Sequence, residues 1–326
     1  MDRRQFLAAA GSGTLAFAFA PAGFASRLGA RWPRILVTAD LESHVVVLDL
    51  EAGRVVSRVP TAAGPRSIES VDGSTVVVGH TEIGVVSLLV SATGSAMGFG
   101  LRGELDDFGA PRYTAVHPNR RLAYVTDSAR EEIVVLDPFR ARILWRTRVP
   151  GPARHVSISP DGRTLWTALG NAAARIAVLD TSDPRRPKLV RTLAPPFLAH
   201  DVVFAPDGRT AWVTSGDERR IAVYRPERRP ARLLDAGAPP QHVTFAREKV
   251  FVASGDDGTV RRHRLDGDLV REVRVPVGSY NVTFGHDRLV TPSLGRGTVS
   301  LLDRNGRVRA VRKVARAAHD ACIVHA

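Results

Sequence analysis

Two stretches of this chain repeat one pattern. Ala153-Arg154-His155-Val156-Ser157-Ile158 leads through Ser159-Pro160-Asp161-Gly162-Arg163 into Thr164-Leu165-Trp166-Thr167, and His200-Asp201-Val202-Val203-Phe204 leads through Ala205-Pro206-Asp207-Gly208-Arg209 into Thr210-Ala211-Trp212-Val213-Thr214. Val, Ile, Phe and Trp favour the pleated strand, whereas Asp and Gly accept the backbone angles of a tight reversal. Each stretch therefore predicts a short strand, a turn and a second strand.

The pattern recurs along the whole chain. The pairs that open successive repeats are Arg66-Ser67, Arg112-Tyr113, Arg154-His155, His200-Asp201, Gln241-His242, Tyr280-Asn281 and His319-Asp320, at separations of 46, 42, 46, 41, 39 and 39 residues. A fixed period of roughly 20 to 50 residues marks a repeat architecture. Each period holds an opening strand, an apolar second strand such as Leu122 to Thr126, a third such as Ile133 to Leu136, and a polar fourth such as Ile143 to Val149. Polarity rising from first to fourth strand predicts that the first lies innermost and the fourth at a solvated rim.

The two ends of the chain are complementary. Residues 34–40, 45–50 and 54–59 match strands two, three and four with no first strand before them, while His319-Asp320-Ala321-Cys322-Ile323-Val324 matches a first strand with nothing after it. Joined, they make a seventh unit and leave no open sheet edge. The expected fold is all-β: a seven-bladed β-propeller of four-stranded antiparallel blades over residues 34–326, closed when the C-terminal strand joins the N-terminal strands.

Residues 1–25 read as a twin-arginine export signal, with Asp2-Arg3-Arg4-Gln5-Phe6-Leu7 before an apolar run from Ala8 to Ala20 and a small-x-small site at Gly23-Phe24-Ala25. Residues 26–33 form a linker. The apolar run is short for a membrane span and nothing later resembles one, so a periplasmic or extracellular monomer without a span in the mature chain is expected. Retention of the signal as an anchor stays open. Cys322 is the sole cysteine, which excludes an intrachain disulfide and assigns stability to packing.

At Tyr124-Val125-Thr126-Asp127, with Ile133-Val134-Val135-Leu136-Asp137 and the Pro-Asp-Gly-Arg-Thr turns, the chain resembles the YVTN-type seven-bladed propeller family. Lactonase-like propellers and the haem-binding propellers of nitrite reductase are its relatives. The Gly-His and Trp-Asp pairs of WD40 blades are absent. The resemblance covers residues 34–326 and implies the fold; its motifs are structural punctuation and name no activity.

In that winding every first strand begins on one face of the disc, beside the central channel. A ligand-binding ring is then expected from Arg66, Arg112, Arg154, His155, His200, Asp201, His242, Asn281, His319 and Asp320. Because adjacent residues of a regular strand point to opposite faces, a metal would draw on different blades, with His155, His200, His242 and His319 as candidates. Hydrolysis would take His200 or His242 as base and Arg154 as oxyanion-stabilising cation. No metal, haem, phosphate-loop or nucleophile motif is present, so the cofactor stays open between none, a metal and haem. The expected role is binding: a small ligand, a metal or an extracytoplasmic protein taken by a polar, His-rich face. A lactonase-like hydrolase or a haem or metal redox propeller using that face is the alternative.

The net charge of +13 reflects an excess of arginines, which mostly fall in the third and fourth strands or the loops flanking them, Arg261 and Arg262 among them, and several alternate with apolar residues, as in Arg307-Val308-Arg309. That pattern reads as a solvated rim able to attract anionic envelope polymers. Stacking aromatics are not interleaved with these arginines, which argues against nucleic acid.

Overall fold

The computed structural model describes residues 33–92, 98–225 and 230–325. The export signal expected over 1–25 lies outside these residues, as does the linker apart from Pro33. Every regular element among them is a strand, and the strands form seven four-stranded antiparallel sheets. Six are consecutive in sequence. Blade 1 runs from Ser67–Ser70 to Phe99–Leu105, blade 2 from Pro111–Val116 to Arg142–Arg148, and blade 3 from Ala153–Ile158 to Lys188–Leu193. Blade 4 runs from Val202–Phe204 to Pro230–Asp235, blade 5 from Val243–Ala246 to Leu269–Arg274, and blade 6 from Thr283–Gly285 to Val308–Lys313.

Blade 7 is composite. The C-terminal strand Ala318–His325 pairs antiparallel with Pro33–Ala39, placing Cys322 opposite Leu36 and Val324 opposite Arg34, and His44–Asp49 and Val55–Pro60 complete the sheet. The chain is a seven-bladed β-propeller whose ring is closed by its own C-terminal strand.

The apolar core lies between blades. On Glu132–Asp137 of blade 2, Val134 and Leu136 pack into the cluster shared with blade 1, and Ile133 and Val135 into the cluster shared with blade 3. Seven such clusters follow one another around the ring. A middle strand covered on both faces must be apolar at every position, which explains its unbroken Val, Ile and Leu runs. Trp166 and Trp212, both fully buried, fill the interfaces of blade 3 with blade 4 and of blade 4 with blade 5. Fourth strands are polar and exposed, as at Lys188–Leu193. The arginines expected at the solvated rim include one that is not solvated: Arg261 is buried and paired with Asp257 and Glu272 at 3.0 and 2.7 Å.

Where the first strands meet the channel mouth the ladder breaks register. Pairing skips from Ala153 to Val156 in blade 3, from Pro111 to Thr114 in blade 2, and across His319-Asp320 in blade 7, where Thr38 stands opposite the skipped residues. A buried threonine of the second strand serves the breaks of blades 2 and 7 and the corresponding strand start of blade 4. Thr126 Oγ1 accepts from the Tyr113 N–H at 3.0 Å and donates to the Arg154 carbonyl of the next blade at 2.7 Å. Thr214 likewise accepts from Asp201 N–H at 3.0 Å and donates to the Gln241 carbonyl at 2.8 Å. Thr38 accepts from Asp320 N–H at 2.9 Å and lies 3.2 Å from the Arg66 carbonyl. A bulge re-aims side chains at a strand end. The strict alternation expected of the opening pairs therefore does not hold: Arg154 and His155 both reach the mouth.

Closure by Ala318–His325 yields a direct expectation. Deleting residues 319–326 exposes Leu36 and the cluster that holds Ile68, Val76 and Val78, and should lower the melting temperature by at least about 10 °C. An unchanged thermal transition would contradict the closure.

Candidate functional site

Three histidines from consecutive blades meet at the mouth. His155 of blade 3, His200 leading into blade 4 and His242 leading into blade 5 offer ligand nitrogens that all lie within 4.8 Å of one another. Ring centroids are 4.4 Å apart for His155 and His200, 4.7 Å for His155 and His242, and 5.5 Å for His200 and His242. Tyr113 of blade 2 stacks on the His155 ring at 4.1 Å, covering its other side.

A hydrogen bond orients one of the rings, and a carboxylate stands beside a second. His200 Nδ1 lies 3.2 Å from the Asn171 carbonyl, which only accepts, so Nδ1 carries the proton and Nε2 keeps its lone pair. His242 Nδ1 lies 3.3 Å from an Asp201 oxygen, within ion-pair distance. The Asp201 carboxylate is itself held by the Val202 and Val243 N–H groups at 2.8 and 3.3 Å. His155 is 1% exposed and neither of its nitrogens has a partner of hydrogen-bonding geometry. Burial, the two neighbouring imidazoles and the Arg154 charge push its pKa well below the usual histidine range. Burial first, then His242, pushes His200 down to about 4. Near neutral pH these two are uncharged donors.

Backbone form matters here too. Gly216 has φ +81° and a Cβ at that position would stand 2.7 Å from His200 Cβ. Glycine is required both by the left-handed backbone and by the close approach of the imidazole.

The other ring residues divide into two groups. Arg66, Arg154 and His319 line the same mouth cavity of about 400 Å³ as Tyr113, His200 and His242. Arg112 is close enough for the charges of Arg154 and Arg66 to lower its pKa, after burial. His319 stands outside the three-histidine cluster: its Nδ1 lies 2.7 Å from the Arg66 carbonyl, and burial holds its pKa at about 3. Asn281 and Asp320 act on the scaffold. Asn281 Nδ2 donates to the His319 carbonyl at 2.9 Å, and Asp320 accepts from the Ile68 and Ala321 N–H groups at 3.1 and 2.8 Å. Sequence reasoning did not single out Tyr113 or the Asn171 carbonyl. Tyr113 was visible beside Arg112 in an opening pair, whereas a backbone carbonyl leaves no letter in the sequence.

Deeper in the channel Glu69 faces Asp320. Burial, then the Asp320 charge, raises the Glu69 pKa to about 8, and burial raises Asp320 to about 6. At the opposite mouth the Nε2 atoms of His286 and His325 lie 3.1 Å apart. Cys322 is buried there, and burial pushes its thiol far above the ordinary range, which makes it a poor nucleophile.

No protein-family model matches the chain, and no curated protein matches it. Solved structures share its fold. A functionally unknown protein from Desulfotomaculum acetoxidans superposes with a TM-score of 0.78 at 12% identity, over 90% of this chain and 99% of that one. A candidate 6-phosphogluconolactonase from Bacteroides fragilis gives 0.73 at 13% identity, over 92% and 99%. The dihydro-haem d1 dehydrogenase NirN, in complex with DHE, gives 0.60 at 16% identity, over 86% of this chain and 63% of that one. These similarities establish the seven-bladed propeller and place lactonase-like and haem-binding proteins among its structural neighbours; at such identities they carry no activity across.

The channel acids make stability depend on pH. Glu69 binds its proton more tightly in the folded chain than in the unfolded one, so its contribution to stability is full below pH 4.5 and is lost as pH rises to about 8. Glu69→Gln keeps an acceptor for the Ser70 N–H and removes the charge. It should raise the melting temperature at pH 8.5 and leave it nearly unchanged at pH 4.5; an equal effect at both values would contradict the assignment.

Proposed function

We propose that this protein is an exported binding protein for a divalent first-row transition-metal cation, held by His155, His200 and His242 at the channel mouth. The observation that carries this reading is the meeting of three imidazoles, one with Nδ1 fixed by a carbonyl, one with Nδ1 beside a carboxylate and the third buried with neither nitrogen hydrogen-bonded. Imidazole suits zinc, copper and nickel, and an acceptor behind a ligating histidine fixes its tautomer and strengthens it as a donor. In a tetrahedral site with bonds of about 2.0 to 2.1 Å the donors stand roughly 3.3 Å apart. Bringing the three nitrogens from within 4.8 Å to that spacing takes a movement of about 0.7 Å per ring, which small side-chain rotations supply.

The twin-arginine signal read at the N-terminus supports export of the folded chain. Three protein ligands also leave a position open toward the mouth cavity. That is the arrangement a hydrolytic metal needs, and it supports a lactonase-like activity as the second reading.

Zinc equilibrated with the purified protein and followed by dialysis and metal analysis should remain at one ion per chain. His155→Ala, His200→Ala and His242→Ala should each weaken binding by about 100-fold or more, whereas His319→Ala leaves the stoichiometry intact. Retention of zinc by the triple His155→Ala, His200→Ala, His242→Ala variant would refute the site.

A further inference from the structure

Three arginines on successive blades, Arg66, Arg112 and Arg154, face the same mouth as the histidine cluster, and they are not equivalent. Arg66 is paired with Asp40 at 3.0 Å. Arg112 donates from Nε to the Ser128 hydroxyl at 3.2 Å. Arg154 has no carboxylate within ion-pair distance among the described residues, and its Nε is buried without a hydrogen-bond partner. Arg154 is half-buried and lines the mouth cavity, so its guanidinium is partly stripped of water with no carboxylate to offset its charge, and the position suits an acceptor supplied from the cavity.

The acids near the mouth are already engaged. Asp201 holds His242, and Asp256 accepts from the Tyr280 hydroxyl and the Gln241 amide at 2.7 and 3.4 Å. Asp217 lines the cavity and accepts from the Glu218 N–H at 2.8 Å. None forms an ion pair with Arg154. A divalent cation held by the three imidazoles would bring positive charge to the mouth, and Arg154 adds another beside it. A cavity of about 400 Å³ above them holds far more than the roughly 30 Å³ share of one water.

We propose that the mouth takes its cation together with a small oxyanion, one carboxylate or phosphate group whose oxygens fill the open metal position and bridge to the Arg154 guanidinium. The inference rests on the metal-binding reading. Arg is the side chain suited to it, because its planar fork presents parallel N–H donors to two oxygens and stays charged at every physiological pH. The metal would fix one oxygen and Arg154 another, so selection would favour planar carboxylates or tetrahedral phosphate over neutral ligands. Tyr113, stacked on His155 and lining the same cavity, would form its apolar wall.

Cobalt(II) reports on this directly, since its visible d–d bands respond to a change of ligand. The full exported chain loaded with cobalt(II) is titrated with oxalate in one series and inorganic phosphate in another, with sucrose as a neutral control. The proposal expects a saturable spectral change with at least one of the two anions and none with sucrose. Arg154→Gln should weaken the anion by about tenfold or more, Arg154→Lys by less, and neither should lower cobalt affinity or the melting temperature appreciably. The oxalate and phosphate arms tell a carboxylate ligand from a phosphate one. If cobalt binds and neither anion alters its spectrum, or if Arg154→Gln binds the anion as well as the parent, the oxyanion proposal is overturned and the metal site stands. If cobalt does not bind, the metal reading fails and this proposal falls with it.

Discussion

The mouth of this propeller depends on buried threonine hydroxyls that couple one blade to the next. Thr126 and Thr214 each accept the N–H of a residue in their own blade's opening pair and donate to a carbonyl of the following blade. With the donor and acceptor roles of each hydroxyl filled, the break in the ladder becomes a defined geometry, and the carbonyl it grips fixes where the next blade begins. The consequence is positional. Side chains that regular alternation would send to opposite faces are delivered to one rim, and residues about 40 positions apart in sequence become neighbours.

Rigidity of this kind is what a small-ion site requires. Seven apolar clusters lock each blade against its neighbours, and Ala318–His325 joins the last blade to the first strands of the domain. His155 sits within its strand, and His200 and His242 sit in the connections that lead directly into Val202–Phe204 and Val243–Ala246. Little conformational entropy has to be lost when a ligand orders them further. The Asn171 carbonyl behind His200, the Asp201 carboxylate beside His242 and the Arg154 guanidinium stand around one mouth; in the proposed reading a cation sits at the histidines and an anion above it.

The scaffold was legible in the sequence because its signals are local. The Pro-Asp-Gly turns, the two-sided apolar runs and the 39 to 46 residue spacing each act through nearby residues, and the missing first strand at one end matched the spare one at the other. The site was less legible. His155 and His242 are the second members of their opening pairs and His200 and His319 the first, yet the path of the backbone where the strands begin separates His319 from the other three. The threonines that control those breaks look in sequence like ordinary strand residues. Arg261 stands in an arginine-rich third strand, as rim arginines do, but it is buried against the carboxylates of Asp257 and Glu272.

The central claim is that His155, His200 and His242 form one coordination shell. X-ray absorption at the zinc edge, on protein carrying one equivalent of zinc, tests it most directly. The account predicts about three imidazole nitrogens at about 2.0 to 2.1 Å, together with the multiple-scattering features of histidine rings and one exogenous oxygen donor. A shell made of oxygen alone, or with a single imidazole, would contradict it.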